Sequence, residues 1–232
     1  MFLASPTYRR RFIDHAAQAG YPFAAVRGAV AHIGRMLAEL PRLWLGAMPP
    51  VEWDNLACID EAYSQGRGVV LLTPHMGCFE VVAQALALRY REAYGPLTVL
   101  FRPARKAWIA PVVAASRQRP GLAPVPTTLA GVRSMIKALR QGQAVGLLPD
   151  QVPPEGMGLW APFFGRDAYT MTLAARLAHA RQDGLAVSVE PLPRQMGVGI
   201  DPRGRQTRRS PVASVAAGLR GQAVGQGQAR AA

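Results

Sequence analysis

The sequence predicts an α/β fold in which a mainly parallel sheet is flanked by helices. From residue 68 onward, short apolar runs bounded by glycine or proline alternate with longer amphipathic stretches. This alternation is typical of βαβ units. The chain of 232 residues is long enough for one sizeable core, so we expect a single domain over residues 1–190.

Two helices are predicted ahead of the sheet, within residues 6–44. A glycine, a tyrosine and a proline at positions 20–22 separate them. Apolar residues step by four, three and four along the second helix, which gives it one apolar stripe: Val26, Val30, Ile33 and Leu37. We expect this helix to end near Pro41.

The α/β core is predicted over residues 51–190. Short apolar runs indicate strands at 69–74, 97–101, 122–126, 144–149 and 185–190. Amphipathic stretches indicate helices at 78–94, 108–118, 129–142 and 169–182. Residues 150–168 are expected to form a loop with an apolar centre, because glycines and prolines interrupt them throughout.

Residues 191–232 differ in character from the rest of the chain. Seven arginines stand against one acidic residue, Asp201, and large apolar side chains almost vanish. Such a composition cannot bury enough apolar surface to offset the entropy of ordering. We expect an arginine-rich tail that is disordered.

The amino-acid composition limits the classes of partner that the chain is expected to bind. The formal net charge is +13, but no basic stripe interleaved with aromatic residues accompanies it, so nucleic-acid binding is disfavoured. Acidic lipid or a phosphorylated substrate suits the charge at least as well. Two cysteines, Cys58 and Cys78, cannot form a disulfide framework or fill a zinc site unaided. No apolar run is long enough to cross a bilayer, so any membrane association is expected to be peripheral.

The stretch LLTPHMGCFE, residues 71–80, carries the clearest chemistry. If the preceding run is a buried parallel strand, His75 lies just beyond its carboxyl end, where open α/β sheets place ligands. Glu80 follows in the first turn of the next helix, close enough to reach the imidazole. An acid on one ring nitrogen leaves the other available as a general base. This pair suits a reaction whose substrate brings its own hydroxyl, such as acyl transfer from a thioester.

Spacing alone leaves other interpretations open. His75 satisfied by a carbonyl group and Glu80 placed for the helix dipole would give the same pattern. Cys78 is a conceivable nucleophile, although small buried cysteines are commoner. The remaining histidines lie on predicted helices without partners at useful spacing and are interpreted as structural: His15, His32 and His179.

Three blocks in order strengthen the first interpretation: TPHMGCFE, VLFRPARK, and LLPDQVPPEGMGLWAPFFG followed by AYTMTLAARLA. Over roughly residues 5–183 the chain resembles the late acyltransferases of lipid A biosynthesis. The resemblance implies a glycerolipid-acyltransferase-like fold and transfer of a fatty acyl group from acyl carrier protein to a hydroxyl of a lipid A precursor. It also implies peripheral location on the cytoplasmic face of the inner membrane. No cofactor is expected, and no metal, because His75 and Cys78 have no second pair of ligands.

The resemblance also assigns roles. His75 is similar to the family's general base and Glu80 to its orienting partner, without an acyl-enzyme intermediate. Arg102 matches a position implicated in the active site, where it would bind phosphate or stabilise charge. Asp150 would orient Arg102 or a substrate hydroxyl, or cap local backbone. Other candidate substrate-binding residues are Gln151, Phe163, Phe164, Arg105, Lys106 and Arg166. Core packing is the stronger single explanation for the two phenylalanines, and solvated surface for the three basic residues.

The sequence departs from the family in two ways that leave alternative functions open. The apolar N-terminal anchor usual in the family is expected to be missing, and the arginine-rich tail replaces its last strands and helices. Alternatives therefore stay open, namely an acyltransferase acting on a glycerolipid or other lipid, or an inactive remnant that binds membranes.

Overall fold

The structure is a computed structural model that describes residues 2–54, 56–102, 104, 106–179, 185–191, 199–200, 206–207 and 213–219. These residues divide into two compact units. One comprises residues up to 49 together with 151–172, and the other comprises residues 50–150 and those from 173 onward. The predicted α/β fold class is confirmed by the second unit.

Eight helices are present among the described residues. Their bounds are α1 Pro6–Gln18, α2 Phe23–Val26, α3 Gly28–Leu45, α4 Ala57–Ser64, α5 Phe79–Tyr94, α6 Ala110–Arg117, α7 Leu129–Arg140 and α8 Leu173–His179.

Eleven strands accompany them in the same part of the chain. Their bounds are β1 Val51–Asp54, β2 Val69–Leu72, β3 Leu97–Phe101, β4 Leu122–Pro126, β5 Ala144–Leu147, β6 Gly158–Phe163, β7 Arg166–Met171, β8 Leu185–Pro191, β9 Gly199–Ile200, β10 Gln206–Thr207 and β11 Ala213–Leu219.

The first unit contains the N-terminal helices. α1 begins where the Ser5 hydroxyl accepts the backbone N–H of Tyr8 at 3.3 Å, as an N-cap should. α3 continues through Pro41 to Leu45, so the predicted end near Pro41 is wrong. A proline in a helix interior removes one backbone hydrogen bond but does not force the chain to stop.

The same unit contains an antiparallel hairpin where a loop was predicted over residues 150–168, and the predicted start of the next helix at residue 169 is wrong because residues 169–171 belong to β7. β6 and β7 pair in register from Gly158 with Met171 to Phe163 with Arg166. Only Phe164 and Gly165 connect them, and both have positive φ, 49° and 73°. Positive φ at both central residues is the signature of a type I′ turn, which matches the twist of paired strands. Phe-Gly is not a recognised signal for this turn, so the sequence did not reveal it.

The second unit is built around a seven-stranded sheet of order β1-β11-β8-β2-β5-β3-β4. All neighbouring strands are parallel except β11 and β8. Buried side chains from β2, α4 and α5 form its core, with Ile59 and Val69 fully enclosed. Tyr63 stacks on Tyr90 with ring centroids 4.3 Å apart in this core. The sheet therefore brings the carboxyl ends of β2, β5 and β3 to one edge.

The predicted tail falls mostly outside the described residues. Within 191–232 the structure describes the strands β9, β10 and β11, the last of which lies between β1 and β8 in the sheet. For the remainder of that segment, disorder stays a prediction.

Candidate active site

The register of two neighbouring strands brings the central residues of the site together. Parallel strands β2 and β5 pair with Leu72 opposite Leu147. His75 and Asp150 each lie three residues beyond these positions. Two residues far apart in the sequence therefore meet at the carboxyl edge of the sheet, where such folds bind ligands.

Asp150 contacts His75 through both carboxylate oxygens. Oδ2 accepts the backbone N–H of His75 at 2.7 Å, and Oδ1 lies 2.7 Å from the ring nitrogen Nδ1. An ionised carboxylate only accepts hydrogen bonds, so Nδ1 carries the proton and the neutral ring has its lone pair on Nε2. The ring also contacts Phe79 at the start of α5, with centroids 4.9 Å apart. This arrangement fixes both the tautomer and the position of the imidazole.

The electrostatics of Asp150 agree with that tautomer. Partial burial is the largest single influence and raises its pKa, but the hydrogen bonds from the ring and backbone N–H of His75, together with the charge of His75, outweigh it. The net result is a pKa below the ordinary value for aspartate. Asp150 is therefore ionised at neutral pH and able to stabilise an imidazolium.

Glu80 has a different partner from the one the sequence suggested. Its carboxylate is buried, with 8% exposure, in the first turn of α5. Arg117, the last residue of α6, donates to both of its oxygens, with 2.8 Å between Nη2 and Oε1. The acid on Nδ1 of His75 is thus Asp150, whereas the sequence assigned that position to Glu80. A paired carboxylate is the stable state for a buried acid, which explains why Glu80 contacts a guanidinium.

Arg117 is the residue that sequence reasoning missed. It lies one residue before the end of the helix predicted over 108–118 and belongs to no local motif, so the sequence presents it as an ordinary basic residue near a helix C-terminus. Its two-point contact holds the C-terminus of α6 against the first turn of α5, directly after the His75 loop. The site therefore contains two pairs of an acidic and a basic side chain, which we call the acid pairs: Asp150 with His75, and Glu80 with Arg117.

The other basic candidates lie after β3. Arg102 is exposed and directly follows that strand, so it lies at the carboxyl edge of the same sheet. Lys106 is also exposed and precedes α6. Arg105 lies outside the described residues. The role of these three residues in binding stays a prediction.

The remaining candidates belong to the first unit. Gln151 is exposed and follows Asp150 in the sequence. Phe163, Phe164 and Arg166 lie at the tip of the hairpin, and each phenylalanine has 61% of its surface exposed. Core packing, the expectation for two adjacent phenylalanines, is wrong for both. Their predicted contact with an acyl chain is not tested by this geometry.

Neither a metal site nor a membrane-spanning helix is found among the residues that the structure describes. In that part of the chain, no group of three or more His, Cys, Asp or Glu side chains is placed to hold a metal ion. Over the same residues, no helix combines the length and the apolar character needed to cross a bilayer.

Comparison with protein families gives the context for this site. The sequence pattern of a family described as bacterial lipid A biosynthesis acyltransferase matches residues 22–191, well over half of the chain. The chain belongs to that family. The predicted resemblance is therefore confirmed, and the protein is an acyltransferase of the lipid A type whose family acts on a lipid acceptor. Comparison with curated proteins found no match.

The matched range covers the site of this lipid A acyltransferase. His75, Glu80, Arg117 and Asp150 all lie inside it, on the carboxyl edge of the sheet or on the helices that follow it. The α/β fold observed is consistent with membership of the family. The site can accordingly be interpreted in terms of acyl transfer.

Proposed function

We propose that the enzyme transfers a fatty acyl group from acyl carrier protein to a hydroxyl of a lipid A precursor, with His75 as the general base. The observation that carries this proposal is the contact of Asp150 with Nδ1 of His75. It puts the lone pair of the neutral ring on Nε2, the atom that would take the proton of the acceptor hydroxyl. The hydroxyl oxygen then attacks the thioester carbonyl.

The steps that follow need two stabilising groups. Asp150 stabilises the imidazolium that forms when His75 takes the proton, since the carboxylate is ionised and hydrogen-bonded to it. Backbone N–H groups in the first turn of α5 would stabilise the oxyanion of the tetrahedral intermediate. Collapse of that intermediate breaks the carbon–sulfur bond, and the imidazolium supplies a proton to the departing thiolate.

Glu80 serves this reaction indirectly. Its bond to Arg117 fixes the start of α5, which carries the proposed oxyanion donors and follows the His75 loop. We therefore assign Glu80 and Arg117 as positioning residues, and Asp150 as the acid partner of the base. Arg102 and Lys106 would contact the phosphate groups of the acceptor or of the carrier protein.

The proposed location follows from the acceptor. A lipid acceptor resides in a bilayer, and the strong positive charge of the chain favours anionic lipid surfaces. We place the enzyme on the cytoplasmic face of the inner membrane, as a peripheral protein. The proposed donor, acyl carrier protein, would have to reach the enzyme on that face.

The test measures acyl transfer from labelled acyl carrier protein to a purified lipid A precursor. Transfer to this acceptor, with none to a monoacylglycerol phosphate, a glycerolipid with a free hydroxyl, offered at the same concentration, is the expected result. Faster transfer to the glycerolipid would favour the alternative acceptor class. Absence of transfer to either by a folded protein that still binds vesicles would indicate a membrane-binding remnant.

A further inference from the structure

The β6–β7 hairpin displays an unusual amount of apolar surface. At least half of the surface of each of these side chains is exposed: Met157, Leu159, Trp160, Phe163 and Phe164. These five side chains lie within eight residues of the chain, and clustered exposed apolar groups, unlike ones scattered singly, often mark a surface that something else covers. The hairpin includes neither of the acid pairs of the active site.

The hairpin is nevertheless well formed. Trp160 packs against its cross-strand partner Tyr169 with ring centroids 5.4 Å apart. The hydroxyl of Tyr169 accepts the backbone N–H of Gly158 at 3.0 Å, and the Thr172 hydroxyl donates to the carbonyl oxygen of Met157 at 3.2 Å. These contacts hold the strands in register while leaving the apolar tip exposed.

The tip itself is built at a conformational cost. Among the described residues, Phe164 is the one non-glycine residue with positive φ, at 49°. A bulky side chain is unfavourable in the left-handed region, whereas asparagine or glycine is accepted there. An aromatic side chain kept at a position that suits asparagine points to a use for that side chain beyond the turn.

The rest of the same unit favours an anionic partner. All residues of α1, α2 and α3 are described, and none of them is buried. Seven arginines stand against four acidic residues in residues 1–49 and 151–172. Aromatic side chains combined with surplus arginine suit the interface of an anionic bilayer, where rings enter the headgroup region.

We propose that the β6–β7 hairpin inserts its aromatic tip, Phe163 and Phe164, into the interface of an anionic lipid bilayer. The inference deepens the proposed peripheral membrane association and rests on it. It assigns the two phenylalanines to the bilayer, whereas the resemblance implies that they contact the acyl chain. Insertion would hold the enzyme at the surface in which its lipid acceptor resides.

The experiment uses the full chain and sedimentation with vesicles of phosphatidylcholine and phosphatidylglycerol, compared with phosphatidylcholine alone. Phe163→Ser with Phe164→Ser should lower partitioning to anionic vesicles about tenfold, because two exposed rings no longer leave water. Leu129→Ser removes a side chain of similar exposure, 67%, from the other unit. It should leave partitioning unchanged within about twofold.

Phe164→Asn separates the apolar side chain from the fold. Asn-Gly is the preferred pair for a type I′ turn, so this variant keeps the hairpin while losing one ring. It should therefore bind vesicles more weakly than the parent although its hairpin is at least as stable. Equal binding by Phe164→Asn, the double variant and the parent would overturn the inference.

Transfer in detergent micelles distinguishes this inference from the proposed function. The hairpin variants should transfer acyl groups at the parental rate in micelles, where no bilayer is needed. An equal loss of rate in micelles would assign the phenylalanines to substrate contact and overturn bilayer insertion. A change of oligomeric state in the double variant, with vesicle binding retained, would assign them to a contact between copies. Failure of the parent to transfer while vesicle binding still depends on the tip would refute the proposed function alone.

Discussion

Asp150 binds His75 at two points, accepting the backbone N–H with one carboxylate oxygen and facing Nδ1 with the other, each at 2.7 Å. The backbone contact fixes the loop after β2, and the ring contact fixes the tautomer. One side chain thus determines both where the imidazole lies and which nitrogen can act as a base.

The first prediction concerns Asp150→Asn. Asparagine is similar in shape but carries no charge, so it cannot stabilise the imidazolium and does not enforce the Nδ1–H tautomer. We expect kcat for acyl transfer to fall about 10²-fold or more, within the range typical of general-base catalysis, with a much smaller change in KM. Steady-state kinetics with acyl carrier protein as donor would measure both. Near-parental kcat in Asp150→Asn, combined with a large loss in Glu80→Gln, would restore Glu80 as the acid partner.

The second prediction follows from the lowered pKa of Asp150. A carboxyl whose folded pKa lies below its unfolded value contributes stability above the unfolded pKa and loses it as pH falls through the folded pKa. The unfolded pKa of aspartate is about 3.9. The difference in free energy of unfolding between the parent and Asp150→Asn should therefore shrink as the pH falls below about 4, where the carboxyl group of Asp150 becomes protonated.

Urea unfolding at several pH values measures this difference. Leu129→Ser serves as the control, because no titratable group is changed and its difference from the parent should stay level with pH. A difference for Asp150→Asn that grows as the pH falls below about 4 would contradict the assigned direction of the pKa shift.

The third prediction concerns the pair formed by Glu80 and Arg117. Removing one partner of a buried pair leaves an uncompensated charge and costs about 3–5 kcal/mol. The side chain of Arg117 is 30% exposed, so solvent screens part of the interaction between the two charges and lowers this cost. We expect Arg117→Met to lower the free energy of unfolding by about 2 kcal/mol. The double variant Glu80→Gln with Arg117→Met should be more stable than Arg117→Met, since it removes the orphaned carboxylate.

A double-mutant cycle by denaturant unfolding isolates the coupling between these two residues. Additive effects of the two substitutions would show that the pair contributes nothing. The same variants also test positioning, since Arg117→Met should reduce kcat while leaving the pH dependence of transfer unchanged.

The fourth prediction concerns the effect of Phe164→Asn on the stability of the β6–β7 turn. Relief of the left-handed conformation for a bulky residue should stabilise the hairpin locally by about 1 kcal/mol. Slower hydrogen exchange of the paired amides in β6 and β7 would report this gain. Faster exchange would mean that the ring of Phe164 stabilises the hairpin through its contact with Phe163, whose centroid lies 4.7 Å away.

The sequence predicted the local features of the site but not its pairing. Strand β2, helix α5 and the place of His75 beyond the strand follow from apolar runs and a glycine boundary, which are local signals. That Asp150 would reach His75 depends on β5 being the neighbour of β2, and strand order is decided by tertiary packing. For the same reason the contact of Glu80 with Arg117, between two helices, had no signal in either segment.

The β6–β7 hairpin shows a second way in which prediction from the sequence failed. Glycines and prolines favoured a loop over residues 150–168, and adjacent phenylalanines favoured core packing. The structure has two paired strands there and exposed rings. Local composition cannot distinguish apolar side chains that a core buries from those that another surface would cover.

The most direct test of His75 as the general base is a single-turnover assay of acyl transfer by the parent, His75→Ala and His15→Ala. His15 is exposed on α1 and serves as a matched control. We predict that His75→Ala loses about 10²- to 10⁴-fold in the rate of the chemical step, whereas His15→Ala keeps the parental rate. A folded His75→Ala that transfers at the parental rate would contradict the assignment of His75 as the general base.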